Sequence, residues 1–299
     1  MALRFDKYEG LGNDFIVVDA ASFPDGAAGV ALVRALTDRH RGVGGDGVLL
    51  VTRGGDRPAM RVVNADGSTP EMCGNGLRCV ALHLWRTGAV RARAFVVDTD
   101  AGPHACRIHG EAPAGAAQLE VEVDMAVPSL VPAALPLRAD AAWVDAPFEV
   151  AGRTLRATAV SMGNPHVVFF DALNADERRA LGPAIGADAR FPRGVNVGFA
   201  HPRGPAALDL QVFERGAGWT EACGTGACAA AVAAVETGRA ERGVPLVVAL
   251  PGGPLTITVT DAGAPVRMRG PARYVFSGAT TLDERVAVAH RPRDPSAIG

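Results

Sequence analysis

Short apolar runs bounded by Gly and Asp recur along the whole chain. Phe15-Ile16-Val17-Val18, Val48-Leu49-Leu50-Val51 and Met60-Arg61-Val62-Val63 have the length and the β-branched content of strands. Ala94-Phe95-Val96-Val97 and Leu119-Glu120-Val121-Glu122-Val123 add two more. Later in the chain, Val167–Phe170, Leu208–Phe213, Leu246–Leu250 and Leu255–Val259 read the same way. Two segments break this pattern. Gly76–Arg86 and Gly226–Thr237 are apolar on every face, and the second is rich in alanine, a strong helix former. A helix with no polar face is a buried helix. The pattern predicts an α+β fold in which a curved, mostly antiparallel sheet surrounds a central apolar helix, and it predicts this twice.

The doubling is written in the sequence itself. Leu11-Gly12-Asn13-Asp14-Phe15-Ile16-Val17-Val18-Asp19 returns as Met162-Gly163-Asn164-Pro165-His166-Val167-Val168-Phe169-Phe170-Asp171. Arg41-Gly42-Val43 returns as Arg193-Gly194-Val195, and Cys73-Gly74-Asn75-Gly76 as Cys223-Gly224-Thr225-Gly226. The Val62-Val63-Asn64 string matches Val212-Phe213-Glu214. All four pairs keep one order and a nearly constant offset of 150 to 152 residues, which points to two pseudo-symmetric copies of one domain. The expected boundaries are 1–127 for the first and 128–276 for the second. A C-terminal segment at about 277–290 is expected to return to the first domain, and 291–299 to form a flexible tail. The prolines at 128, 132 and 136 suit a linker.

Composition narrows the function. A chain of 299 residues accommodates two such domains. Formal net charge is −2 with no basic patch, which argues against a nucleic-acid partner. No secretory signal and no membrane-length apolar stretch is evident, so a cytoplasmic setting is expected. The cysteines number five, an odd count that argues against a disulfide framework. Lys7 is the only lysine, and its place at the start of the chain, read as surface, makes it a poor anchor for a pyridoxal-phosphate Schiff base.

Cys73 and Cys223 carry the candidate chemistry. Each precedes Gly-x-Gly and one of the two apolar helices. A helix start has backbone N–H groups without partners and a partial positive charge. A thiol there is expected to have a lowered pKa, and the N–H groups form a site for a carboxylate. Two such sites related by a pseudo-two-fold would bring two thiols to opposite faces of one substrate carbon. One would remove a proton and the other deliver one, which is inversion by general acid–base catalysis without a cofactor. Cys79 and Cys228 fall inside the helices and read as core. The cysteine spacings match neither a redox C-x-x-C nor a zinc pattern, so no metal is expected. Asp14, Asp46 and Asp66 read as turn or cap residues.

At these residues the chain resembles the diaminopimelate epimerase family. The matching strings are Gly10-Leu11-Gly12-Asn13-Asp14-Phe15, Asn64-Ala65-Asp66-Gly67-Ser68, Glu71-Met72-Cys73-Gly74-Asn75-Gly76, Met162-Gly163-Asn164-Pro165-His166, Gly194-Val195-Asn196, Glu214-Arg215-Gly216-Ala217-Gly218 and Ala222-Cys223-Gly224-Thr225-Gly226. They run in order along most of the chain. The resemblance implies interconversion of LL- and meso-2,6-diaminopimelate in lysine and cell-wall precursor synthesis, in a homodimer. It implies that Cys73 and Cys223 are the acid/base pair and that Glu214 and His166 tune them. Gly74, Asn75, Gly224 and Thr225 would hold the reacting carboxylate through backbone N–H groups. Asn13, Asn64, Asn164, Asn196 and Glu214 would meet the other polar groups of the substrate, and Arg215 its distal carboxylate. Gly47 departs from members that carry Gln there, and Trp219, Glu221 and Pro70 crowd the loops before the cysteines.

Overall fold

The computed structural model describes residues 2–70 and 72–281. The chain divides into two compact units. The first holds Met1–Leu119 together with the segment that begins at Pro271, and the second is Glu120–Gly270. The expected tail at 291–299, the residues 282–290 of the expected returning segment, and Glu71 lie outside the described residues.

The first unit runs β1 (Leu3–Gly10), β2 (Asn13–Asp19), α1 (Gly26–Thr37), β3 (Gly47–Thr52), β4 (Ala59–Asn64), α2 (Gly74–Arg86), β5 (Ala94–Thr99) and β6 (Gly102–His109). Strand β7 (Gln118–Asp124) carries the chain onward. The second unit runs β8 (Ala146–Val150), β9 (Arg153–Ser161), β10 (Pro165–Phe169), α3 (Ala175–Gly186), β11 (Asn196–Pro202), β12 (Ala207–Glu214), β13 (Gly218–Thr220), α4 (Gly224–Glu236), β14 (Leu246–Leu250) and β15 (Gly253–Thr258). The long strand β16 (Arg267–Thr280) then pairs through Arg267–Arg269 with β15 and through Arg273–Thr280 with β1. The Pro-rich stretch forms a short 3₁₀ turn at Pro132–Ala134, within the second unit.

The two units share one pairing scheme. β2 pairs parallel with β3, and β10 with β11. β3–β4 and β11–β12 are antiparallel. β4–β5 and β12–β14 are parallel, and β5–β6 and β14–β15 antiparallel. The sheet bends round its central helix in both. α2 touches β1, β2, β3, β4 and β6, while α4 touches β9, β10, β11, β12, β14 and β15. Residues Leu77–Leu84 of α2, Arg78 and His83 among them, and Ala227–Ala234 of α4 are buried without interruption.

The apolar runs do not mark strands β1, β6, β8, β9, β11, β13 and β16, nor two helices, α1 and α3, which pack on the opposite side of each sheet. Leu32, Val33 and Leu36 of α1 meet Ile16, Val18, Val48 and Leu50. Leu181 and Ile185 of α3 join a core with Phe148, Phe169, Val197 and Phe199. Side chains alternate across a strand, so β2 presents Ile16 and Val18 to α1 and Phe15 and Val17 to the other face. All four are buried, which explains why this strand reads as a continuous apolar run instead of an alternating one. Both central helices also begin two residues earlier than the apolar pattern predicts, at Gly74 and Gly224.

Candidate active site

That earlier start makes each cysteine the N-cap of its helix. Cys73 has φ −136° and ψ 102°, and Cys223 has φ −119° and ψ 104°, the extended backbone a cap requires. Each sulfur accepts a hydrogen bond from the N–H three residues on. Gly76 donates to Cys73 Sγ at 3.3 Å, and Gly226 to Cys223 Sγ at 3.3 Å. The glycines are needed at these positions. A Cβ on Gly76 would sit 3.0 Å from Leu49 and 3.3 Å from Cys73 Sγ, and one on Gly226 would sit 3.0 Å from Val212 and 3.1 Å from Cys223 Sγ. Helix geometry leaves first-turn N–H groups, such as those of Gly74 and Gly224, without intrahelical partners and at the positive end of the dipole.

In the second unit a chain of side chains leads from the sheet to Cys223. His166 on β10 is buried, and its Nε2 lies 3.0 Å from Asn164 Oδ1. Burial, followed by the nearby Arg215 cation, pushes the imidazole pKa down to about 3, so the ring is neutral at ordinary pH. A neutral ring protonated at Nε2 donates to the Asn164 oxygen and leaves the Asn164 amide nitrogen to donate to Thr225 Oγ1 at 3.3 Å. Thr225 Oγ1 is 3.6 Å from Cys223 Sγ. Glu214, at the end of β12, accepts from Thr220 Oγ1 at 2.6 Å.

The pKa of the Cys223 thiol is raised, contrary to what a helix start alone predicts. Burial is the largest cause; the charge of Glu214 and its hydrogen bond to the protonated thiol add to it, and the bonds from Thr225 and Gly226 offset only part. Cys223 is buried, whereas Cys73 is half-buried.

Asn196, the first residue of β11, uses its amide at both ends within the protein. Its nitrogen donates to Pro165 O at 2.9 Å and its oxygen accepts from Arg215 N at 2.9 Å. It therefore joins β10 to the turn that carries Arg215. The exposed Arg215 guanidinium donates to Arg193 O at 3.0 Å. Trp219 stacks on Phe199 at 6.0 Å and covers Gly182 of α3 with one side, and stays 40% exposed.

In the first unit Asn13 donates through Nδ2 to Asp46 Oδ2 at 2.6 Å and accepts from Asn75 Nδ2 at 3.3 Å. Asn64, at the end of β4, donates to Ser68 Oγ at 3.0 Å. Asp66 caps that turn, accepting from the Ser68 N–H and hydroxyl. A Cβ on Gly47 would lie 2.8 Å from Val63 O, so this backbone has no room for a larger residue there. Lys7 is not a surface residue. It is buried, with Nζ 2.5 Å from Asp14 Oδ2 and bonded to Gly44 O. Arg39 joins the same cluster, 2.6 Å from Asp14 and 2.8 Å from Asp46. Burial alone would raise the Asp14 carboxyl, but hydrogen bonds from Arg39 and Lys7 hold it below the usual carboxylate range. This cluster was not foreseen, because charged residues spread over 39 positions of sequence show no spacing that would link them. Cys79 and Cys228 are fully buried inside α2 and α4. Among the described residues no helix is long and apolar enough to cross a membrane.

Comparison with known proteins places the chain in a family. The family described as Diaminopimelate epimerase matches residues 5–131 and 158–275. A diaminopimelate epimerase of Geobacillus thermodenitrificans is 43% identical over 280 residues, covering 92% of this chain and 95% of the relative. One from Desulforudis audaxviator is 46% identical over 281 residues, covering 92% and 98%. Among solved structures, a hydroxyproline epimerase from Agrobacterium vitis with bound trans-4-hydroxy-L-proline shares the fold. Its TM-score is 0.68 at 16% identity, covering 95% of this chain and 92% of that one. With its paired cap cysteines and its match along nearly the whole length, the chain belongs to the diaminopimelate epimerase family.

Proposed function

We propose that this amino-acid epimerase interconverts LL- and meso-2,6-diaminopimelate by a two-base mechanism in which one of Cys73 and Cys223 removes the α-proton and the other delivers its own proton to the opposite face. The observation that carries the reading is the equivalence of the two cysteines: each caps the central helix of its unit with the same backbone geometry and the same bond to a glycine N–H. In the resting enzyme Cys223, buried beside Glu214, holds its proton and is the acid. Cys73 is its partner, the base that removes the α-proton when Cys223 delivers one. The roles exchange in the reverse direction.

Backbone N–H groups at Gly74, Asn75, Gly224 and Thr225 hold the reacting carboxylate and stabilise charge that develops on it in the transition state. Asn13, Asn64 and Asn164 meet the remaining polar groups. Arg215 pairs with the distal carboxylate, and Asn196 and His166 orient their neighbours. The active protein is a homodimer in the cytoplasm and serves lysine and peptidoglycan-precursor synthesis. No cofactor enters this chemistry.

The test is α-proton exchange from LL-diaminopimelate in deuterated water with reductant, for the wild type, Cys73→Ala and Cys223→Ala. Exchange with inversion in the wild type and loss of turnover in both variants is expected. Exchange only with some other amino acid would overturn the substrate, and full turnover in either variant would overturn the two-thiol mechanism.

A further inference from the structure

The two asparagines at the starts of equivalent strands, Asn13 as first residue of β2 and Asn164 just before β10, are held by different chemistry. Asn164 faces a neutral imidazole and a hydroxyl, both of which can donate or accept. Asn13 faces a carboxylate. Asp46 Oδ2 can only accept, so the atom 2.6 Å from it is the Asn13 amide nitrogen, and the Asn13 oxygen is turned to Asn75 Nδ2. The same Asp46 oxygen accepts from Asp14 N at 3.0 Å. The backbone of Asp46 is fixed as well. Its N–H donates to Asp14 O at 2.8 Å, and its carbonyl accepts from Ala65 N at 3.1 Å. The other carboxylate oxygen is clamped by Arg39 at 2.8 Å, and Arg39 is itself held by Asp14.

We propose that Asp46, clamped by Arg39, is a positioning residue that fixes the Asn13 amide in one of its two orientations and, through Asn75, sets the first turn of α2 behind Cys73. The proposal rests on the reading of Asn13 and Asn75 as residues that hold substrate. Without the carboxylate the Asn13 nitrogen loses its acceptor, and the amide is set only by its weaker contact with Asn75 at 3.3 Å. A turned amide would set its nitrogen against the Asn75 nitrogen, donor against donor. The first turn would then lose a tether two residues from Cys73. Asp46 does not touch the reacting atoms; it acts through Asn13.

The experiment is a double-mutant cycle in kcat/KM for diaminopimelate with Asp46→Ala, Asn13→Ala and the pair. Loss of a charge-assisted hydrogen bond that sets geometry predicts a fall of about tenfold or more for Asp46→Ala. In the Asn13→Ala background the same change is expected to cost almost nothing further. The Asp46 side chain is 40% exposed, so the variant removes no core, and melting temperatures check the fold. Independent multiplicative losses would overturn the proposal, because a general structural role acts whether or not Asn13 is present.

A second readout needs no turnover. In ¹⁵N-labelled protein the Asn13 side-chain amide is identified by its absence in Asn13→Ala. It is expected downfield and protected from exchange in the wild type, and to move to the position of a solvated amide in Asp46→Ala. An unmoved signal overturns the proposal. If the wild type fails to act on diaminopimelate, the functional reading falls, and this signal still decides the orientation.

Discussion

At the residue scale the site depends on buried groups held in one protonation state. His166 is the clearest. Its folded pKa is about 3 and its ordinary value is 6.5, because burial disfavours the charged ring. Between these values the unfolded chain binds a proton that the folded protein does not, so stability rises with pH across the window and is lost as pH falls from 6.5 towards 3. From pH 7 to pH 5 the loss assigned to this one residue is on the order of 2 kcal/mol. A neutral His166→Gln variant can still bond Asn164 and has no ring to charge. Its melting temperature is expected to fall less steeply over pH 7 to 5 than that of the wild type, measured by calorimetry. Parallel curves would mean that His166 is not the group that titrates. The same residue shows why sequence reading reached only part of the site. His166 and Asn164 stand two residues apart in sequence and match the family pattern. Lys7 and Asp46 meet their partners only through the fold, and a lone lysine near the start of a chain reads as surface until Asp14 and Gly44 are found beside it.

At the element scale the cysteine, the glycine three residues on and the helix act as one device. The helix supplies the positive end, the cysteine closes it as cap, and Gly76 or Gly226 leaves room for the sulfur. This makes Gly226→Ala a sharp test. Alanine favours a helix over glycine by about 1 kcal/mol, so the fold is not expected to suffer greatly. The added methyl, however, would lie 3.1 Å from Cys223 Sγ and 3.0 Å from Val212, and the thiol must shift. A displacement of a reacting atom by a fraction of an ångström to an ångström costs up to about a hundredfold in rate. The expected result is a melting temperature near that of the wild type with kcat/KM strongly reduced. Wild-type kcat/KM in this variant would show that the sulfur position is not critical. The central helices and the strands with continuous apolar runs, such as β2 and β3, were legible; β1, β6 and β16, whose apolar residues alternate with polar ones, were not. Helices α1 and α3 were not. α1 buries only a narrow stripe centred on Leu32, Val33 and Leu36 within a Gly- and Ala-rich segment. α3 carries a capping box, Asn174 with Glu177, but Pro183 inside it interrupts the helical signal.

At the scale of the whole molecule the units differ in how the chain builds them. The second is one continuous stretch, Glu120–Gly270, with its own aromatic core of Phe148, Phe169, Phe191 and Phe199. The first is made from both ends of the chain. β1 pairs with β16 from Leu3↔Thr280 to Glu9↔Arg273, and the buried Arg78 of α2 donates to Pro271 O at 3.2 Å. A fragment of residues 1–119 lacks that strand. The backbone of β1 loses its partners along one side, and Arg78 is left as a buried cation without the carbonyl it bonds, a costly loss in a low-dielectric interior. A fragment of residues 120–270 keeps both helices and strands β8 to β15. The second fragment is therefore expected to fold alone, with a cooperative urea transition and near-ultraviolet circular dichroism from Trp143 packed on Phe148 and Phe191. The first is expected to show neither until residues from 271 onward are supplied. If 1–119 gave a cooperative transition by itself, β16 would be an ornament on a complete core. If 120–270 failed to fold, the integrity of the second unit would depend on the first, and the duplicated sequence would describe one folding unit.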